Sequence, residues 1–203
     1  MSVPKIDDVR SRFLAPAGEA FDLSSRDSGD RTLFQDKKHA RTCLNEDAGA
    51  IDELQDLLYA TQERALLVVL QGMDTAGKSG VIRHVFAKTS PLGMRVKAFK
   101  APTPVELGHD YLWRVHQAVP RKGFIGIFDR SHYEDVLVVK VRGFAPPDVV
   151  EQRYEQINQF EKTLTENGVT ILKFIYRHFE SFYIRPKVLS FFWFIFNTAI
   201  KSF

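Results

Sequence analysis

The chain has 203 residues, 44% of them hydrophobic and 26% charged, with 28 Lys and Arg against 25 Asp and Glu. That is the composition of an ordinary globular protein, long enough for one domain with a sizeable core. A net charge of +3 permits a phosphate-rich ligand but argues little for nucleic acid, and Cys43, the lone cysteine, excludes an internal disulfide and fits a reducing cytoplasm.

The first residues, "MSVPKIDDVRSRF", carry early charges and no apolar stretch, so no signal peptide is expected. Residues 1–45 are mixed and polar and read as an arm lying over the domain. From 45 to 64, Ile51, Leu54, Leu57 and Leu58 fall on one helical stripe, which predicts a packing helix. "LLVVL" (66–70) is a continuous apolar run ending at a turn, as in a strand buried on both faces. A helix is expected over 78–88 and a shorter strand over 95–99. "TPVE" then opens a second helix, with Thr103 as cap, Pro104 in the first position and Glu106 closing a capping box. "FIGIF" (124–128) is a second buried strand, and Tyr133, Glu134 and Asp135 begin a helical turn. "DVVE" places another box at Asp148, opening a helix that stops at Asn167-Gly168. "VTILKF" (169–174) is a fourth strand. Strands alternating with helices predict an α/β fold, a parallel sheet flanked by helices, over residues 46–174.

Directly after the first strand, Gly72, Gly77, Lys78 and Ser79 complete the pattern G-x-x-x-x-G-K-[ST]. Glycines let the backbone wrap with its N–H groups inward, and the following helix adds partial positive charge. Gly72, Thr75, Ala76, Gly77, Lys78 and Ser79 are the expected phosphate-binding set, with Lys78 supplying a full charge and Ser79 a hydroxyl for Mg²⁺. Asp74 inside the loop would repel phosphate unless a cation lay between them. It reads as a metal ligand or a base near the transferred group, with a simple loop cap as the alternative. Asp129 ends a buried strand, at the position where a carboxylate organises Mg²⁺. Arg130 can fork onto phosphate oxygens, or it can form a plain surface pair with Glu134. His132 reads as a structural histidine.

Taken in order and spacing, "VLQGMDTAGKSG", "KAFKAPTPVELGHDYLWRVHQ", "GIFDRSHYEDVLV" and "YEQINQFEKTLTENGVTILKF" closely resemble the family-2 polyphosphate kinases over about residues 30–174. The resemblance implies a P-loop kinase fold similar to thymidylate kinases. It also implies Mg²⁺-dependent phosphoryl transfer between inorganic polyphosphate and a nucleoside mono- or diphosphate. It implies that Asp74 and Asp129 organise the metal and that Lys78 is the loop lysine, with Arg130 following the aspartate as in the family. Lys78 and Arg130 are expected to stabilise the charge that develops in transfer. Lys97, Lys100 and Arg114 fall where the family keeps basic residues near the phosphate chain, although Lys97 and Lys100 can equally be solvated edge lysines. Dimers or tetramers are a further implication. An ATP-dependent nucleotide monophosphate kinase and a non-catalytic phosphate-binding remnant are the rival readings.

The resemblance stops after "ILKF". Eight of the 17 phenylalanines lie in residues 174–203, where Glu180 is the only acid. The family continues with a helical lid; this aromatic-rich tail, 175–203, reads instead as a truncation or frame disruption that loses the lid. Its apolar run, 188–200, is too short for a membrane span, which needs about 20 residues, so no membrane role is expected.

Overall fold

The computed structural model describes residues 9, 12–15, 32–72 and 76–176. Most of the expected arm, the tail and its apolar run therefore lie outside the described residues. Four parallel strands, β1 (Ala65–Gly72), β2 (Met94–Ala98), β3 (Ile125–Asp129) and β4 (Val169–Tyr176), form one sheet in the order β2-β3-β1-β4. The helices are α1 (Lys37–Thr61), α2 (Lys78–Val85), α3 (Pro104–Leu107), α4 (Trp113–His116), α5 (Glu134–Arg142) and α6 (Pro147–Glu166).

The apolar run of β1 is buried because alternate residues enter two cores. Leu66, Val68 and Leu70 join Ile51, Leu58, Val81, Val85, Ile125 and Ile127 on one face. Ala65, Leu67 and Val69 join Phe99, Val115, Phe128, Phe160 and Leu164 on the other. A strand sandwiched in this way has no polar face, which is why β1 and β3 show no alternation in sequence.

Helix boundaries differ from the sequence expectation where a local partner overrides the pattern. α1 starts at Lys37, because the Asp36 side chain accepts from the backbone N–H of His39 at 2.7 Å and caps the helix. Its stripe holds Ile51 and Leu58, but Leu57 is 51% exposed. α2 stops at Val85 rather than 88. The Thr103–Glu106 capping box is present, yet the helix it opens is only four residues long. Asp148 does not cap α6; Pro146 is the N-cap, Pro147 takes the first turn, and Asp148 lies within that turn, where the helix dipole favours an acid. Cys43 is buried at 2% exposure with burial raising its pKa, as suits an inert packing thiol. Among the described residues no helix is long and apolar enough to cross a membrane.

Candidate active site

The candidate site lies where β1 and β3 end side by side. Leu70 is in register with Asp129, and Asp129 with Ala98 of β2, so the strand-end carboxylate lies next to the root of the glycine loop. Gly72 is required there for space. A Cβ at this position would meet the Tyr176 carbonyl oxygen at 2.6 Å. Gly77, with φ +90°, is required for conformation: it caps α2 in the left-handed region, which is costly for residues bearing a Cβ.

Lys78 opens α2 and is 7% exposed. Its Nζ donates to the Gly72 carbonyl at 2.9 Å, folding back across the loop. Ala76 is half-buried, and Ser79 is exposed in the first turn. Asp74 and Thr75 lie outside the described residues. Asp129, half-buried, and the Ser79 hydroxyl offer hard oxygen donors of the kind Mg²⁺ takes.

After Asp129 the chain turns sharply. Arg130 has φ 63°, and its N–H donates to the Leu70 carbonyl at 2.9 Å, tying the turn to β1. The Arg130 guanidinium lies 3.8 Å from Glu134. This is no simple surface pair, because Glu134 also accepts from Gln71 Nε2 at 2.5 Å. The Gln71 Oε1 in turn accepts from the fully buried Ser131 hydroxyl at 3.2 Å. Gln71, the residue before Gly72, thus bridges the glycine loop to the Asp129–Arg130 turn.

A second buried network holds the same turn from behind. His132, 1% exposed, places Nε2 3.2 Å from Glu161 Oε1. Glu161 also accepts from the Tyr133 hydroxyl at 2.7 Å and from Lys173 Nζ at 2.7 Å. Burial works against the Glu161 charge, but these three hydrogen bonds outweigh it and hold the carboxyl down to about 2. The structural role read for His132 fits this geometry. Gln71, Glu161 and Lys173 were missed from sequence, since each looks like an ordinary polar residue of a strand or helix.

The basic residues divide into two kinds. Lys97 and Lys100 are exposed, with Lys97 Nζ 5.8 Å from the Phe99 ring centroid. Arg114 is buried and already engaged. It donates to the Lys100 carbonyl at 2.8 Å, lies 3.5 Å from Asp135 and 3.9 Å from Glu106, and sits 5.5 Å from the Phe99 centroid.

A family model described as polyphosphate kinase 2 matches residues 34–180. The chain is 49% identical over 158 residues to a protein of Meiothermus ruber named AMP/ADP-polyphosphate phosphotransferase, covering 76% of this chain and 58% of that protein. It is 37% identical over 179 residues to an ADP-polyphosphate phosphotransferase of Rhodopseudomonas palustris, covering 80% and 61%. The chain thus spans about three-fifths of the length of these curated relatives. Among solved structures, a polyphosphate kinase 2 from Arthrobacter aurescens TC1 superposes with a TM-score of 0.81 at 32% identity, covering all of this chain and 78% of that one.

Proposed function

Since this chain belongs to the polyphosphate kinase 2 family, we propose that it transfers a terminal phosphoryl group between inorganic polyphosphate and a nucleoside mono- or diphosphate. The observation that carries the reading is the register of Asp129 beside the glycine loop, with the Lys78 ammonium buried between strand end and helix start.

In the direction of nucleotide synthesis, a terminal phosphate oxygen of the acceptor attacks the terminal phosphorus of the polymer in line. The bond to the next phosphate breaks, and the polymer leaves one unit shorter. No covalent enzyme intermediate is needed; positioning and charge stabilisation do the work. Lys78 exchanges its contact with the Gly72 carbonyl for phosphate oxygens. Arg130, held by Glu134 and by the turn beneath it, directs its fork to the charge that develops on the transferred group. Gly72, Thr75, Ala76, Gly77 and Ser79 cradle the phosphates, while Lys97 and Lys100 flank the polymer. Arg114 adds positive potential and holds Lys100 by its carbonyl. Asp129 and Asp74, with the Ser79 hydroxyl, are the residues to hold Mg²⁺, which when bound neutralises phosphate oxygens. The proposal places the reaction in the cytoplasm, where nucleoside phosphates are found.

The test is donor choice. Purified protein is given polyphosphate with AMP or ADP, and separately ATP with a nucleoside monophosphate. Nucleotide formation from polyphosphate is expected. Turnover with ATP alone as donor would overturn the reading, and binding without any transfer would leave a phosphate-binding remnant.

A further inference from the structure

Charge along this chain is segregated. Residues 75–128 contain nine Lys and Arg but only two acids, Glu106 and Asp110, a surplus of seven in a chain whose total is +3. This stretch runs from α2 through the edge strand β2 into β3.

At the edge strand β2 the excess takes a definite form. Residues 95, 97 and 99 point to one face, about 7 Å apart in steps of two, and Phe99 packs there against Phe128. On that face the Arg95 guanidinium lies 5.6 Å from the Phe124 centroid. Arg121, from the loop before β3, lies 4.2 Å from the same centroid. The two cations are therefore within about 10 Å of one another on one ring. Both are exposed, and among the described residues neither has a carboxylate partner. Lys97 and Lys100, both exposed, continue the line towards the crevice, and the Glu106 carboxylate lies near enough to Lys97 for the two charges to interact.

Edge strands are often blunted with charge to prevent pairing with other chains. That role accounts for Arg95 and Lys97 on the strand. It does not account for Arg121, brought from a separate loop onto the same ring, nor for a run of 31 residues, 75–105, without one acid. Two guanidinium groups converging on one ring, without a counter-charge among the described residues, fit a ligand that repeats its negative charge. Guanidinium forks suit phosphate oxygens in particular.

We infer that the exposed basic edge formed by β2, with Arg95 and Arg121 at its far end, is a secondary binding track for linear polyphosphate. It holds the part of a long polymer that extends beyond the reacting end. This rests on the reading of the crevice as a polyphosphate site. A short phosphate chain ends near Lys78 and never reaches Arg95; a long one lies along Lys100, Lys97, Arg95 and Arg121. The track gives the protein a preference for long donors without adding a group to the chemistry.

The experiment is equilibrium binding by the full chain of long-chain polyphosphate, tripolyphosphate and an oligothymidylate matched in charge to the long chain, over a series of salt concentrations. The variant is Arg95→Gln/Arg121→Gln, with Arg95→Lys/Arg121→Lys as the charge-preserving control. The Gln pair is expected to weaken long-chain binding roughly tenfold and to lower the slope of log affinity against log salt by about one to two. Tripolyphosphate binding should be unchanged, and the Lys pair should keep most of the long-chain affinity. Long-chain affinity and slope unaltered in the Gln pair would overturn the track while leaving the crevice reading in place. Equal loss in the Lys pair would assign the effect to packing on Phe124 and overturn it too. Oligothymidylate bound as tightly as polyphosphate, and lost equally in the Gln pair, would make the face a nucleic-acid surface instead. A wild-type chain that bound neither phosphate would remove the crevice reading itself.

Discussion

Asp129 is one carboxylate at the end of a buried strand, and the proposal gives it a task no amide can perform. Asp129→Asn preserves shape and removes charge, so the melting temperature should stay within about a degree or two while turnover falls on the order of a hundredfold or more. Calorimetry and a coupled nucleotide assay check the pair; near-normal turnover would remove the metal assignment. Gly72 has a steric role. With the Tyr176 carbonyl oxygen 2.6 Å from where a Cβ would sit, Gly72→Ala must push β1 and β4 apart. A loss of about 1–3 kcal/mol in urea unfolding is expected. Asp47 is a different case, a buried α1 carboxyl whose Oδ2 has no hydrogen-bond partner among the described residues. Burial pushes its pKa up to about 7 from 3.8, so folding favours the protonated form. The stability this gives is full below about 3.8 and is lost as pH rises through about 7. Asp47→Asn should therefore raise the melting temperature at pH 8 and leave it nearly unchanged at pH 4, measured by thermal scans across pH.

At the scale of elements, the Glu161 network fastens α6 and β4 to the turn that carries Arg130. Its sign is opposite to that of Asp47. The folded pKa, about 2, lies below the ordinary 4.5, so the stabilisation is present above 4.5 and is lost as pH falls from there towards 2. Glu161→Gln is expected to cost about 3 kcal/mol at neutral pH, and the difference from wild type should shrink below pH 4 in acid unfolding monitored by circular dichroism. The strands were the most legible elements, because β1 and β3 are buried on both faces and need unbroken apolar runs. Helix ends were less so. Asp36 caps α1 ahead of the amphipathic stripe that marked it, Leu57 completes that stripe yet faces solvent, and Asp148 sits in a capping motif without capping. The Asp36 and Pro146 caps are local choices that the apolar stripe does not mark, whereas the exposure of Leu57 is set by what packs on the helix.

At the scale of the whole molecule, the glycine loop and Asp129 could be read from sequence because their chemistry is carried by short contiguous motifs. The ties that hold them could not. Gln71 meets Glu134, and His132 meets Glu161 and through it Lys173, only after the sheet has brought distant residues together. Overall charge was equally uninformative, since +3 conceals the basic half of the fold. That half should make polyphosphate capture sensitive to ionic strength. Raising salt severalfold is expected to lower kcat/KM for polyphosphate much more than for the nucleotide, as steady-state kinetics at matched magnesium would show.

The pairing of Gly72 with Tyr176 has an effect on how the protein tolerates change. The fourth strand reaches Tyr176 at the lip of the phosphate cradle, so its last residues stand beside the mouth of the site. A charged residue in place of Ile175, exposed at this strand end and paired with Gln71, should thus disturb substrate capture before it disturbs folding.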